Sequence, residues 1–189
     1  MPISIYLLVL LFGLGSYTIG VFQVLKGNYK PSLFTRLVWL LLAINAYAGV
    51  TLSGSTSGSV ALATVLLIGN FGMFLVSIFK GSREYEKLEI ICTFLLLISA
   101  AIWIVFSAPL LNLTIALIGN LIGALPTYKK VWKDPSDESL WFWFLFFVAS
   151  TLSLIGSFDS SLQKMLLPLY FVFLDGSLTV LCLRRFYLK

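Results

Sequence analysis

The sequence predicts an all-α membrane protein of seven transmembrane helices, built as two parallel three-helix repeats joined by a linker helix. Three observations carry that prediction. The 189 residues are 59% hydrophobic and 11% charged, and the apolar residues fall in repeated long runs. A run of about 20 apolar residues crosses a bilayer core as a helix. The basic residues alternate in density from one connection to the next, and the first and last thirds of the chain share a residue pattern. The short alternating segments of a membrane β-barrel are absent.

Taken in order, the spans are 3–25, about 36–53, 60–79, 90–107, 109–128, 140–157 and 165–183. Span 1 has no basic segment before it and no small-residue cleavage site after its core, so it reads as a retained helix. Lys26, Lys30 and Arg36 separate spans 1 and 2. Lys80, Arg83 and Lys87 separate spans 3 and 4. Lys129, Lys130 and Lys133 separate spans 5 and 6, and Arg184, Arg185 and Lys189 follow span 7. Twelve of the 13 basic residues thus fall on one side, and Lys164 alone on the other. The positive-inside rule then places the N-terminus outside and the C-terminus in the cytoplasm. On this topology Ser55 and Ser157 lie outside and Ser82 and Ser136 inside. The sequence pI near 9.3 reports orientation, not nucleic-acid binding. Cys92 and Cys182 fall at cytoplasmic span ends, where thiols stay reduced.

The repeat is read from matching positions. At an offset of 104, Pro31 matches Pro135, Ser32 matches Ser136, Thr35 matches Ser139, Trp39 matches Trp143, and Ser16 matches Asn120. At 105, Asn45 matches Ser150 and Asn70 matches Asp175. Both copies begin outside, so an odd number of spans must join them. Span 4, nearly free of polar groups at its middle, supplies that crossing. The domains are therefore 1–80, the first repeat; 81–108, the linker helix; and 109–189, the second repeat.

Asp175 is the acid that lies deep inside a span; the other seven of eight lie in loops or at span ends. A carboxylate there costs on the order of several kcal/mol, and such residues face a partner or a wet cavity. Ser16, Asn45, Asn70, Asn120 and Ser150 lie at similar depth. Asn70, Asp175, Asn45 and Asn120 either line a solute cavity between the repeats or bond across helices. Amides suit a neutral hydroxylated ligand, offering both donors and acceptors. Trp39 and Trp143, just inside the cytoplasmic border, belong to an aromatic belt or stack on a solute ring. Pro126 removes a helix hydrogen bond near the end of span 5, as a hinge or as a static kink. Gly119 with Gly123, and Ser16 with Gly20, are small residues one turn apart that let helices approach closely. Asp137 and Glu138 are either a solvated face or partners of lysines in an inner latch.

The 3 + 1 + 3 plan and the segment 119–139, GNLIGALPTYKKVWKDPSDES, resemble the SWEET and PQ-loop transporter superfamily, a parallel-repeat architecture. Proteins of that group carry a Pro-Gln pair near the cytoplasmic end of this helix. The pair here is Pro126-Thr127, and in span 1 the aligned pair is Phe22-Gln23, which makes Pro126 and Gln23 the gating candidates. In SWEETs an Asn in the third span and another in the seventh hold the sugar. Asn70 matches the first, and Asp175 stands where the second would be. The exchange points to a cationic solute or to proton coupling. Vitamin transporters of the nicotinamide-riboside type share the plan more distantly.

The expected function is transport of a small polar solute, a sugar or similar, by alternating access through a midplane site. The alternatives are a proton-coupled or cation-selective transporter of an amino acid or vitamin, and a SWEET-like cargo or ligand receptor. The chain has no His, so a Ser–His intramembrane protease is excluded, and one membrane acid is too few for an aspartyl protease. No Lys lies in span 7 for a retinal Schiff base. No enzyme activity, cofactor, metal or nucleic-acid partner is expected. The expected partners are a small-molecule solute and the lipid bilayer, with a homo-oligomer left open.

Overall fold

The computed structural model describes residues 3–28, 30–52, 54, 57–83, 87–136, 138–158 and 162–187. It contains seven α-helices: α1 (Ile3–Leu25), α2 (Leu33–Leu52), α3 (Ser57–Lys80), α4 (Lys87–Phe106), α5 (Pro109–Lys133), α6 (Leu140–Ile155) and α7 (Leu162–Leu183). A short 3-10 turn, Arg184–Phe186, follows. Five helices are long and apolar enough to cross a membrane: α1, α2, α3, α5 and α7. The apolar α6 is shorter, at 16 residues. The outer surface carries large apolar side chains such as Leu11, Phe79, Phe173 and Val180. Such a surface belongs in lipid, where only helices that satisfy their own backbone can stand. The chain is a multi-pass helical membrane protein.

Most helices run beyond the spans read from hydropathy. α2 begins at Leu33, so Arg36 lies in its first turn; α5 continues through the lysines to Lys133. Lysine is a good helix former, so a helix does not stop where its apolar run stops. α2 is capped by Ser32, whose hydroxyl accepts from the Thr35 N–H at 3.2 Å. α6 is capped by Ser139, which accepts from the Phe142 N–H at 3.3 Å. Each satisfies one amide left over at a helix start.

α3 packs between α1 and α2, and α7 between α6 and α5. The two groups meet where α1 lies along α6 and where α2 lies along α5, with a narrower contact between α3 and α7. α4 lies outside, against α5 and α2. Its Cys92 thiol donates to the Gly119 carbonyl at 3.2 Å, and a small separate core of Val38, Leu42, Cys92, Leu96 and Ala116 forms there. At the basic end, the 30–32 and 81–83 connections are tied. The Ser82 N–H donates to Pro31 O and the Leu33 N–H to Ser82 O, both at 2.9 Å.

Candidate functional site

The small residues at helical spacing mark the two crossings. At the first, the Ser16 hydroxyl donates to the Phe142 carbonyl at 2.7 Å, and a Cβ on Gly20 would stand 3.3 Å from the Phe142 ring. At the second, a Cβ on Gly123 would stand 3.4 Å from both Cys92 Sγ and Trp39 Nε1. An aromatic side chain of one group thus lies on a glycine of the other at both crossings. The partners are Phe142 and Trp39, whereas the sequence alignment pairs Trp39 with Trp143.

Between these crossings, at the basic end, a cavity of about 680 Å³ opens. Gln23, Trp39, Pro126 and Trp143 all line it, with Tyr17, Met73 and Phe142 among its apolar walls. Among the described residues, Lys30, Arg36, Lys130 and Glu138 are its charged ones. Lys130 and Glu138 form an ion pair at 3.4 Å, with side chains 40% and 16% exposed. The pair is partly buried at the cavity wall. It realises half of the expected inner latch; the other acid, Asp137, and the C-terminal Lys189 lie outside the described residues.

The four midplane candidates do not line that cavity. Asn70 and Asp175 are 2% and 1% exposed, and Asn45 and Asn120 are nearly as buried. Asn70 and Asp175 are packed, and neighbouring helices supply side-chain partners to both. The Asn70 amide donates to the Tyr17 hydroxyl at 2.9 Å and to Leu66 O at 2.8 Å. Asn120 Oδ1 accepts from the Tyr170 hydroxyl at 2.9 Å. The same residue types thus join α1 to α3 and α5 to α7, with the helices' roles exchanged. Asp175 Oδ2 accepts from the Ser150 hydroxyl at 2.8 Å. Asn45 and Asn112 exchange two amide hydrogen bonds, each 3.1 Å, across α2 and α5.

One midplane atom stays unmatched. Asn70 Oδ1 is buried with no hydrogen-bond partner, which is costly in an apolar interior. Three tyrosines, Tyr17, Tyr128 and Tyr170, lie near Asp175, and Tyr17 also bonds Asn70. The Tyr128 hydroxyl bonds Ser177 and also reaches Leu174 O at 3.3 Å. Tyr17 belongs to both regions: it lines the cavity and bonds Asn70. Its ring is held edge-on by Phe142 and Phe146, at centroid distances of 5.8 and 5.4 Å. A Cβ on Gly69 would overlap that ring, so only glycine lets Tyr17 lie there.

No family model, curated protein or solved structure matches the chain.

The end opposite the cavity is closed by small polar contacts. The Ser153 hydroxyl donates to Gly58 O at 2.8 Å, and a Cβ on Gly58 would stand 2.6 Å from Ser153 O. Ser59 lies 3.4 Å from Ser157 and donates to Lys164 O. The last bond has a local cause. Pro168 lies inside α7 and has no N–H, so the Lys164 carbonyl, four residues earlier, loses its helical donor. Ser59 of α3 replaces it. Ser157, expected to be reachable from outside, is instead 1% exposed. Its hydroxyl caps Ser153 O at 2.9 Å; Ser55 lies outside the described residues.

Sequence reasoning missed the partners: Tyr17, Tyr128, Tyr170 and Asn112. It also missed Arg36 as a cavity residue, having counted it as a loop charge.

Proposed function

We propose that the chain is a transporter that moves a small polar solute, a sugar or similar, by alternating access between two three-helix repeats, 1–80 and 109–189, with 81–108 as the linker. One observation carries the reading. A cavity of about 680 Å³ at the basic end has Tyr17 in its wall, Tyr17 bonds the buried Asn70, and Ser59, Ser153 and Ser157 tie the opposite end together. A molecule open on one side, with an unmatched amide oxygen on a residue bonded to the wall of its opening, has the parts of a carrier in one of its two states.

The packing supports the repeats. The order α1–α3–α2 matches the order α5–α7–α6, and the crossing α1/α6 has a smaller counterpart in α5/α2. That is the arrangement parallel repeats produce, and the resemblance to SWEET and PQ-loop proteins points the same way. All seven helices then span the bilayer, with the cavity on the cytoplasmic side under the positive-inside rule. Small residues at both crossings suit helices that slide or rock against one another.

A cross-link tests the reading. With S59C/S157C in a C92A/C182A background, oxidation should lock the closed end. Uptake of a labelled solute from a panel of sugars, amino acids and vitamins into proteoliposomes should stop, and a reductant should restore it. Flux unaffected by the cross-link, or no flux of any panel member, would sink the proposal.

A second reading, proton coupling, rests on Asp175. The neutral hydroxyl of Ser150 bonds it, and among the described residues no Lys or Arg forms an ion pair with it. A carboxyl group so placed can exchange a proton without breaking a salt bridge. Asp175→Asn keeps the shape and cannot titrate. It is expected to lose uptake driven by a pH gradient while keeping exchange at equal pH. Unchanged gradient-driven uptake removes the coupling.

A further inference from the structure

We propose that the joined ends of α5 and α7 bind the headgroup phosphate of an anionic phospholipid, with the Arg184 guanidinium, held on the Trp132 ring, and Arg185 as its donors. The site needs only a helical membrane protein and stands apart from the carrier reading.

Charge is the first ground, and it is counted over the whole sequence. The basic end carries twelve Lys and Arg against six acids, Glu84, Glu86, Glu89, Asp134, Asp137 and Glu138. It therefore keeps an excess of positive charge wherever each acid lies. At the other end Lys164 and Asp159 balance. Lys129, Lys130 and Lys133 close α5, and Arg184 and Arg185 follow α7. The adjoining 134–138 segment brings three acids to those five cations. A cluster of Lys and Arg at the end of membrane helices attracts anionic lipid headgroups.

The second ground is geometric. The bias of basic residues toward one face and the helix dipole account for cations at this end. They do not account for where the two arginines lie. Arg184 Cζ stands 4.3 Å from the centre of the Trp132 ring, with Nη1 3.5 Å from the Trp132 carbonyl. This contact ties the end of α7 to the end of α5. Arg185 Cζ stands 4.9 Å from the centre of the Phe186 ring. A ring face steadies a guanidinium without neutralising it and leaves N–H donors in its plane for a second partner. That planar fork matches phosphate oxygens. The supporting rings are themselves on the surface: Trp132 is 64% exposed and Phe186 62%, with Tyr187 beside them. Exposed aromatics at a helix end belong at headgroup level, where they meet glycerol and upper acyl chain. A free phosphate ion has no use for that apolar surface; a phospholipid uses both parts.

Spin-labelled lipids test the site on the full chain reconstituted in phosphatidylcholine vesicles. The readout is the preference of the protein for labelled phosphatidylglycerol over labelled phosphatidylcholine. The parent should prefer phosphatidylglycerol at least about threefold, and less so as salt rises. R184Q/R185Q should bring the preference below about 1.5-fold. K80Q/K87Q removes the same charge from exposed positions on α3 and α4 at the same end, and it should keep at least about two-thirds of the preference. R184K keeps the charge without the fork and should fall between parent and R184Q; it carries the test if the double variant does not insert. W132A should lower the preference and W132F should keep it, because a ring is what holds the guanidinium. At equal ionic strength inorganic phosphate should displace the lipid no better than chloride. No preference in the parent, equal losses in the two double variants, or selective displacement by inorganic phosphate overturns the proposal.

Discussion

If Tyr17 is the floor between the open cavity and the buried polar residues, its removal should expose Asp175 to water-borne reagents by a calculable factor. The ring is held by two edge-on contacts, to Phe142 and Phe146, each worth about 0.5–1.5 kcal/mol. The hydroxyl adds one hydrogen bond from Asn70, worth about 0.6–1.7 kcal/mol inside a membrane protein. Together these resist opening by about 2–5 kcal/mol, and each 1.4 kcal/mol is a factor of ten in population. The reporter is D175C in a C92A/C182A background, chosen because it leaves the Tyr17–Asn70 bond intact. Its reaction rate with a small charged thiol reagent in detergent is the readout. Tyr17→Phe keeps both ring contacts and loses only the hydrogen bond, so the rate should rise about 3- to 15-fold. Tyr17→Ala should raise it between about 30- and 4,000-fold. Equal rates in all three proteins would mean that Asp175 is reached by another route and that Tyr17 is ordinary packing.

The seal at the opposite end should be energetically coupled to a proline. Ser59→Ala should lose about 1–2 kcal/mol in detergent-titrated unfolding, and markedly less in a P168A background, where Lys164 O regains its helical donor; equal losses in both backgrounds refute the link. The Asn45–Asn112 pair should behave reciprocally: either single change to Leu strands an amide at a cost of about 1–3 kcal/mol, and the double change costs less than the sum. Additive losses would show that the two amides do not depend on each other. Orientation is read with F158C and S136C in intact cells: Phe158 and Ser136 are both exposed, and an impermeant thiol reagent should label the first and spare the second. The reverse pattern overturns the assignment of the basic end to the cytoplasm.

The helices were legible because hydropathy reports the solvent that a segment must meet. An apolar run of bilayer length has few other uses, and Ile3–Leu25 and Ser57–Lys80 appear nearly where their apolar runs lie. Helix ends were less legible, because lysines and arginines continue a helix into the headgroup region as readily as they leave it. That is how Arg36 passed for a loop charge while belonging to α2. The polar set shows the same division. Asn70, Asn120 and Asp175 stand out as amides and an acid in apolar runs. Tyr17 and Tyr170 do not, because a tyrosine in such a run reads as one more aromatic, and its hydroxyl acquires meaning only when another helix brings an amide to it.

The partner of a side chain is a property of packing, and a single sequence carries packing only through its periodicity and its small residues. Gly69 illustrates how much of that can be recovered. Alone it is one glycine in an apolar helix. Beside Tyr17 it is the position whose missing side chain lets a ring cross from α1 onto α3. There the Tyr17 hydroxyl meets Asn70, and Tyr17 also lines the cavity. The polar residues that hydropathy picks out are thus half of each contact, and the cavity wall draws on the other half. A carrier reading drawn from Asn70 and Asp175 alone would place the solute directly between them. On the carrier reading, the packed arrangement instead puts a tyrosine in the way: a solute would first occupy the basic cavity and then displace Tyr17 to reach the Asn70 amide oxygen that has no partner.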